Sequence, residues 1–558
     1  MTDKYNSHDN QQNTGTNAKV GDSRSPALLR FIGRRWRAVW NGNPPGLILL
    51  LAGLVVALIM SVPIIYVAWR SLFAGADSWL RLLDGRIPAL LWNTASLTIA
   101  VTVLAISIGV SLAWIVVRTD LPGRKTWQWL MALPLVIPPY VGAVTYIIVF
   151  GPSGWARDLW EAVPFLGDYA LNIYSFWGVF LVLTLFTYPY VFLIVSASLR
   201  RMNRNYEEVA RSQGYSTSKI FWKVNLPFLR PAIGAGAILI SLYVLSDFGA
   251  IAMLRYVTFT AAIYFQRASF DTASASVLSL VLIVLTMVIL WIEVRTRKKN
   301  KFYQTSNSYR EPDTLKLGKW KPLALVYVIT VFLFSVALPI GVLLYWTYIG
   351  FEQHVIDERF FGFAWNSLKV SALAAVVAMV LALPVIYLKS RYPSFISTGI
   401  DKLSYAGYAL PGVIVALGMV FIFNTHIPAF YNTYYLIILA FVIRFLPQAM
   451  QAGEASLSLV SPRIDEAARS LGYPPWKVML KVILPSIMPG VLAGGALVFV
   501  SSIKELPATL MLRPPGFDTL AVRVYYEASE AIYYQAAPGA LLIVLVSLIP
   551  LRYLLKKY

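Results

Sequence analysis

The sequence predicts an all-α integral membrane protein built from two homologous six-helix halves, with about 12 transmembrane helices in total. Three observations support this fold class. Of the 558 residues, 58% are hydrophobic and only 13% are charged, whereas a soluble domain has about 45–50% apolar and about 25% charged residues. Apolar runs long enough to cross a bilayer recur along the chain. One long segment also recurs at a fixed offset.

Twelve apolar runs are predicted to cross the membrane as helices, because about 20 apolar residues suffice to span the hydrocarbon core. Several contain proline or glycine, which membrane helices tolerate when neighbouring helices satisfy the freed backbone groups. The runs lie at 47–68, 91–117, 128–150, 176–198, 231–254, 274–293, 323–349, 366–388, 404–424, 433–450, 489–510 and 537–555.

These runs divide the chain into four predicted parts: a basic N-terminal tail (1–46), a first transmembrane half (47–293), a basic linker (294–321) and a second transmembrane half (322–558). Much of the tail is expected to be disordered, because it is rich in Asn, Ser and Thr without periodicity. No signal peptide is expected before the first apolar run. The linker is expected to act as a tether, with binding of anionic lipid headgroups as an additional role.

Lysine and arginine predict the orientation. The chain has 48 of them against 27 acidic residues, and most fall in segments that share one side with both termini. Cytoplasmic loops of membrane proteins are enriched in these residues, so both termini are predicted to be cytoplasmic. Three basic residues, Lys369, Arg444 and Lys504, lie inside spans. The net charge of +21 is attributed to the loops, and no nucleic-acid partner is expected.

The residue types also limit the chemistry. There is no cysteine, and His8, His354 and His426 are far apart, so no disulfide, thiolate site or zinc-type cluster is expected. No GxxxxGK[ST] phosphate loop occurs, so the chain is expected to hydrolyse no ATP itself. Neither catalytic residues nor a bound cofactor are predicted.

A long internal repeat is the strongest signal in the sequence. Residues 207–231 and 465–489 align at an offset of 258, and Asp247 and Glu505 share this offset. A Trp-Asn pair recurs at a different offset, 273, at Trp92 and Trp365. An insertion of about 15 residues in the 151–175 loop of the first half would explain the change. Two halves of equal orientation predict an approximate two-fold axis along the membrane normal.

The repeated segment is predicted to form a helix–turn–helix elbow outside the membrane. A short helix is expected from about 207 to 213, with small Ala210 allowing close approach and Gly214 ending the helix. A second amphipathic stretch is expected to end at Pro227 and Pro231. One such elbow is typical of an interfacial anchor, but two copies with the same internal spacing favour docking to a partner.

The two elbows resemble the EAA signature of ATP-binding-cassette (ABC) importer permeases. The matching residues are Glu208, Ala210 and Gly214 in the first copy, where Val209 departs from the signature, and Glu466, Ala468 and Gly472 in the second. The resemblance implies that each elbow couples to one of two copies of a cytoplasmic ABC ATPase, which uses ATP and Mg²⁺. It also implies alternating access, a multi-pass location in the bacterial inner membrane, and a periplasmic or lipid-anchored substrate-binding protein that docks on loops 255–273 and 511–536.

Within this family, fused twelve-span chains resemble ferric iron and thiamine importers. The stretches LPLVIPPYVGA (133–143), SDFGAIAML (246–254) and KELPATLMLRPPGFDTLAVRV (504–524) favour the iron group. Thiamine, or another small cation, is the alternative substrate. An ion-coupled secondary transporter is a more distant alternative, although it has no need for two docking elbows. A membrane scaffold is a third possibility, and it should tolerate neutralising the intramembrane carboxylates.

Asp247 and Glu505 are the candidate residues of the translocation pathway. Carboxylates inside a membrane are costly and usually line an internal path or pair with a cation. Their hard oxygen atoms suit transient binding of ferric iron, although a cationic thiamine would also favour them. The alternative is structural: Glu505 pairs with Lys504 or Arg513, and Asp247 pairs with Arg255.

Tyrosines are abundant near the predicted span ends and are interpreted mainly as interfacial belts. This interpretation covers Tyr188, Tyr190, Tyr525, Tyr526, Tyr533 and Tyr534. His426 is expected to be a solvated loop residue.

Overall fold

The computed structural model describes residues 39–40, 44–162, 172–297 and 313–556. Within these ranges the backbone is helical apart from short turns and one isolated β-bridge. Ten of the described helices are long and apolar enough to cross a membrane, and two sharply bent helix pairs bring the number of spans to 12. Counting each bent pair as one span gives six spans in each half, so the predicted fold class is confirmed.

The spans of the first half, numbered 1 to 6, are Leu47–Leu72, Ala76–Arg118, the pair Arg124–Val136 and Pro139–Phe150, Phe176–Arg200, Thr217–Ser246 and Thr272–Ile292. Spans 7 to 12 are Gly318–Glu352, Glu358–Arg391, the pair Phe395–Tyr408 and Gly412–His426, Tyr434–Leu457, Trp476–Ile503 and Tyr533–Pro550. Shorter helices connect them: Ala156–Glu161, Asn205–Ser212, Gly249–Met253, Phe259–Ala268, Pro462–Ser470, Pro507–Leu512 and Leu520–Ser529. The N-terminal tail and most of the linker lie outside the described residues.

Spans 3 and 9 are not the single helices that the apolar runs predicted. The helix direction bends by 93° between the two arms of span 3 and by 105° between those of span 9. The cause is proline: Ile137 and Leu410 precede Pro138 and Pro411 and adopt extended backbone angles, because a residue before proline is disfavoured in the helical region. Each bend therefore lies at the same position of the repeat.

The second arms of the bent spans lie at the centre of the molecule. Pro139–Phe150 is buried over nearly its whole length, and Gly412–His426 is buried as far as Ile422. Close packing requires glycine here, since a Cβ atom at Gly142 would overlap the Phe186 ring and one at Gly418 would overlap the Pro63 carbonyl. These two arms position the ends of spans 5 and 11, where the candidate site lies.

The first span of each half packs into the hydrophobic core of the other half. Buried residues of span 1, including Val56 and Met60, belong to the core of the second half, and those of span 7, including Val328, belong to the core of the first. Tyr146 of span 3 also donates a hydrogen bond of 2.9 Å to the carbonyl of Phe334 in span 7. The two halves are thus separate along the sequence but interlocked in the packed structure.

The asparagine of each Trp-Asn pair makes the same kind of contact. Asn93 donates to the Val257 carbonyl at 3.1 Å and Asn366 donates to the Asp518 carbonyl at 3.1 Å, so each Trp-Asn pair holds the loop after the fifth span of its half. The change of offset falls between the bends and spans 4 and 10, in agreement with an insertion in the 151–175 loop.

Pro227 and Pro231 do not end the second part of the elbow. Span 5 runs without a break from Thr217 to Ser246 and contains both prolines. A wider π-helical turn precedes the first proline of each pair, at Phe221–Asn225 and at Met479–Ile483. Since proline lacks an N–H group, a wider turn absorbs the missing hydrogen bond without breaking the helix.

Candidate functional site

A cavity of about 220 Å³ lies between the bends of spans 3 and 9 and the ends of spans 5 and 11. Apolar side chains such as Leu135 and Phe186 form part of its wall. Its polar lining consists of Tyr140, Tyr190, Tyr243, Ser246, Asp247, Tyr408, Arg444, Gln448, Ser501, Lys504 and Glu505. Both carboxylates predicted for the pathway therefore contribute to one central cavity.

Asp247 and Glu505 stand where the fifth span of each half breaks. The sequence predicted continuous spans at 231–254 and 489–510, but the helices end at Ser246 and Ile503 and short helices follow. Asp247 Oδ1 accepts hydrogen bonds from the N–H groups of Ala250 (3.1 Å) and Ile251 (3.3 Å). Glu505 Oε1 accepts one from Ala508 (3.3 Å), at the matching position. Each carboxylate thus caps the short helix that follows it.

The ion-pair alternative named the wrong partners. Glu505 pairs with Arg444 of span 10, and both side chains are largely buried. Gly412 lies against this pair so closely that an added Cβ atom would overlap Arg444.

The other cations named in that alternative lie elsewhere. Arg513 pairs with Asp518, and Arg255 lies over the ring of Tyr174, with its Cζ atom 4.9 Å from the centroid. Lys504 Nζ donates to the Leu135 carbonyl at 2.8 Å.

The two sides of the cavity carry different charges. Among the described residues Asp247 has no ion-pair partner, although its side chain is buried. At the repeat offset of 258, Phe186 and Ser246 of the first half correspond to Arg444 and Lys504 of the second. The first half therefore contributes one carboxylate and aromatic surface, whereas the second contributes an ion pair and an additional amine.

The described residues contain no group of three or more His, Asp or Glu side chains that could hold a metal ion. Transient binding by Asp247 and Glu505 stays a prediction.

Two of the tyrosines assigned to an interfacial belt lie inside the molecule. Tyr188 is fully buried, with its hydroxyl 3.5 Å from Ser335 Oγ and 3.7 Å from Met131 Sδ. Tyr190 lines the cavity. At the end of span 9, His426 Nε2 lies 3.1 Å from the exposed Tyr66 hydroxyl, as fits a residue near a loop.

The elbows form a second candidate site, at the end of the molecule opposite the Trp-Asn pairs. Their short helices are Asn205–Ser212 and Pro462–Ser470. Gly214 (φ +78°) and Gly472 (φ +83°) both adopt the left-handed conformation. The following tyrosine N–H then donates back to the carbonyl of Ala210 (3.1 Å) or Ala468 (3.2 Å), which closes the helix end. The predicted glycine stop is present in both copies.

A buried ion pair supports each elbow, and the sequence reasoning missed it. Arg118, at the end of span 2, holds both carboxylate oxygens of Glu207 at 2.7 and 2.8 Å. Arg391, at the end of span 8, holds Asp465 at 2.8 Å. The signal was present, because the arginines share the offset of 273 and the acids share the offset of 258. The signature residues Glu208 and Glu466 follow these acids directly.

The chain matches the family described as binding-protein-dependent transport system inner membrane component, over residues 105–299 and 377–555. The two matched segments correspond to the two halves of the repeat. The chain belongs to this family. It is an ABC importer permease, as the resemblance of the elbows to the EAA signature predicted.

Individual relatives agree with this assignment. The permease is 34% identical to the Fe(3+)-transport system permease protein FbpB 2 of Haemophilus influenzae, over 92% of this chain and 99% of that protein. It is 25% identical to the putative ferric transport system permease protein FbpB 1 of the same organism, over 71% of this chain and 65% of that protein. It is 23% identical to the thiamine transport system permease protein ThiP of Salmonella typhimurium, over 80% of this chain and 84% of that protein.

Both candidate sites contain residues that the repeat matches between the two halves, but the matched residues are similar at one site and different at the other. At the elbows, matched residues perform the same structural task in each half. At the cavity, matched positions hold residues of different charge. The permease is a multi-pass membrane protein, and its described helices place one cavity where the two halves meet.

Proposed function

We propose that the permease carries ferric iron inward across the bacterial inner membrane. The observation that carries this proposal is the 34% identity over nearly the whole length of both chains to a relative named for Fe(3+) transport. The match to the thiamine permease is weaker, at 23% identity. Iron delivered by a periplasmic or lipid-anchored binding protein would reach the loops that hold helices Phe259–Ala268 and Leu520–Ser529.

The energy for transport would come from two copies of a separate ATPase. Each copy would seat one elbow, with Glu208 and the turn at Gly214 in one groove and Glu466 and the turn at Gly472 in the other. Support comes from the twin geometry of the elbows, since each is attached to its own half by a buried ion pair. With this coupling, the elbows, the linker and both termini would lie in the cytoplasm, as the lysine and arginine bias predicts.

The pathway would pass through the central cavity. Movement of the elbows would tilt spans 5 and 11, each of which is one helix from its elbow to the cavity. Asp247 and Glu505 stand at the far ends of these helices, so motion at the elbow reaches the carboxylates directly. Helices transmit such displacements because their hydrogen bonds make them stiff.

Transport by the purified permease tests this proposal. The permease is reconstituted in liposomes with its ATPase and binding protein, and uptake of radiolabelled ferric iron is measured with ATP or with a non-hydrolysable analogue. We expect iron uptake only when ATP is hydrolysed. Labelled thiamine is offered in parallel.

Each other outcome has a definite meaning. Thiamine uptake without iron uptake would keep the importer class and overturn the substrate. Uptake that follows an ion gradient without the ATPase would favour a secondary transporter. A permease that transports neither substrate under any of these conditions would contradict the proposal as a whole.

A further inference from the structure

The end of the linker is bound to the first half at its elbow end. Leu315 forms a parallel β-bridge with Thr119, just after span 2. The Leu315 N–H donates to the Arg118 carbonyl at 2.7 Å, and the Asp120 N–H donates to the Leu315 carbonyl at 3.1 Å. Linker residues 313–317, called the strap below, thus follow a fixed course over the end of span 2.

Asp120 anchors the far end of the strap. Its carboxylate accepts a hydrogen bond from the Leu317 N–H at 2.9 Å and pairs with Lys321 at 2.9 Å. The Leu317 N–H, together with the Lys321 ammonium, holds the pKa of Asp120 below its ordinary value. The carboxylate is therefore ionised at neutral pH and available for both contacts.

The near end of the strap touches the first elbow. Asp313 pairs with Arg204 at 2.5 Å, and the same guanidinium pairs with Glu208 at 2.6 Å. Arg204 directly precedes the short elbow helix Asn205–Ser212. Because Glu208 is the first signature residue, one arginine connects the linker to the surface that is proposed to dock on the ATPase.

The strap also contacts the other support of the same elbow. Its Leu315 N–H is bound to the carbonyl of Arg118, whose guanidinium holds the buried Glu207. Glu207 and Glu208 are neighbours on the elbow helix. The strap is therefore connected to the helix through two arginines, one buried and one partly exposed.

Within the described residues, the second elbow has no such arrangement. At the repeat offsets, Arg204 corresponds to Pro462 and Asp120 corresponds to Pro393. Neither proline side chain can accept or donate a hydrogen bond. In the described part of the chain Glu466 makes no ion pair, whereas Arg469 of this elbow donates to the Tyr392 hydroxyl at 2.5 Å. The two halves thus differ at the residues that hold the strap in the first half.

The strap is suited to positioning rather than to holding the fold together. The side chains of Arg204, Glu208 and Asp313 are each more than one-third exposed, and ion pairs of that exposure contribute little to stability. An exposed arginine that bridges two carboxylates still restricts the direction of the elbow helix, because its planar fork fixes the geometry of both contacts.

We propose that the strap positions the first elbow on its ATPase, so that the two elbows of this permease are held unequally: the first by the linker and its own half, the second by its own half alone. The inference rests on the proposed coupling of the elbows to a separate ATPase. The covalent tether and the positioning strap are then two functions of one linker.

The test separates these two functions. In one variant, Asp313→Ala with Leu315→Pro removes the Arg204 contact and the N–H that binds the Arg118 carbonyl, but leaves the chain intact. In another, a protease site inserted between 301 and 308 is cut after assembly, which removes the tether but leaves the strap residues in place. Lys316→Ala is the matched control, since Lys316 is an exposed charged residue of the same segment.

The quantity to measure is the number of ATP molecules hydrolysed for each substrate molecule transported, in proteoliposomes with the ATPase and binding protein. We expect the double variant to raise this ratio roughly two- to thirtyfold, the range of coupling changes caused by single sites away from ligands. The cut permease and Lys316→Ala should have the same ratio as the wild type. The single variant Asp313→Glu, which retains a carboxylate at this position, should keep most of the coupling.

Two outcomes would contradict the proposed role of the strap. In one, the double variant assembles normally and couples like the wild type. In the other, the cut permease loses coupling while the double variant keeps it. If Leu315→Pro prevents insertion, Asp313→Ala and Arg204→Ala give the same comparison singly. Failure of the proposed function would appear differently, because the wild-type permease would then show no ATP-dependent transport at all.

Discussion

At the elbow end, the two halves of the permease share the same main supports. An arginine at the end of the second span of each half holds an acid on the elbow helix, and a left-handed glycine ends that helix. At the cavity, Phe186 of the first half corresponds in the repeat to Arg444 of the second, and Ser246 corresponds to Lys504. The two docking sites proposed for the ATPase would need two equivalent elbows, whereas one shared cavity leaves its two walls free to differ.

This comparison indicates which residues can be exchanged between halves and which cannot. An elbow residue should give similar effects in either half, apart from differences caused by the strap or by the immediate neighbours of each ion pair. A cavity residue should give different effects in the two halves, because its partner is present in only one of them. The following predictions test these statements.

The largest effect is expected from the double substitution Gly214→Pro with Gly472→Pro. Proline fixes φ near −65°, whereas these glycines adopt +78° and +83°, so neither elbow can close its turn. We expect substrate uptake to fall to background while ATP hydrolysis continues, measured in the same proteoliposomes. Gly75→Pro is the control, since Gly75 also has a positive φ (+86°) but lies between spans 1 and 2. Uptake at the wild-type level in the double variant would refute docking through the elbows.

Arg118→Ala and Arg391→Ala compare the two buried supports. Removing one partner of a buried pair leaves an uncompensated charge, which costs about 3–5 kcal/mol. Arg118→Ala should lower the free energy of unfolding in detergent by this amount. Arg391→Ala should cost less, because Asp465 keeps a hydrogen bond of 3.2 Å from the Tyr387 hydroxyl, whereas the other cation near Glu207, Arg211, is 4.0 Å away and 44% exposed. Adding Glu207→Ala to Arg118→Ala should recover part of the loss. Equal stability of the wild type and Arg118→Ala would mean that the Arg118–Glu207 pair does not stabilise the fold.

The sequence predicted the twelve spans, the elbows and the glycine stops, because each depends on local residue types. Apolar length determines a span, and a left-handed turn requires glycine in both copies. The bends of spans 3 and 9 were missed although Pro138 and Pro411 are visible in the sequence, since a proline can either sit inside a membrane helix, as Pro227 does, or break it. Neighbouring helices decide between the two.

The candidate site was predicted only in part. Asp247 and Glu505 could be found because intramembrane carboxylates are rare and these two share an offset. The Arg444 partner of Glu505 could not be assigned, because the two residues are 61 positions apart and meet only through the packing of spans 10 and 11. Tyr188 and Tyr190 were misplaced although both lie near the middle of the predicted span 176–198, where a tyrosine packs against other helices rather than at the membrane surface.

Neutralising the two cavity carboxylates should give different results in the two halves. Glu505→Gln leaves Arg444 buried without its partner, so we expect a lower melting temperature together with lost uptake. Asp247→Asn removes a carboxylate that has no ion-pair partner among the described residues, so uptake should fall about tenfold or more with the melting temperature unchanged. Glu505→Gln with Arg444→Gln should recover stability without recovering uptake. A scaffold protein would tolerate Asp247→Asn, and full uptake by this variant would remove Asp247 from the pathway.

The smallest effects are expected from two neighbouring tyrosines on span 4. Tyr190→Phe removes a hydroxyl from the cavity wall, whereas Tyr188→Phe removes one from the packed core. A single hydrogen-bonding group contributes about 0.5–1.5 kcal/mol, which is roughly two- to tenfold in an equilibrium constant. Tyr190→Phe should raise the KM for transport and leave the melting temperature as it is, because Tyr190 lines the cavity through which the pathway is proposed to pass. Tyr188→Phe should lower the melting temperature slightly and leave the KM unchanged. Identical behaviour of the two variants would mean that the cavity wall and the surrounding core are not functionally distinct at span 4.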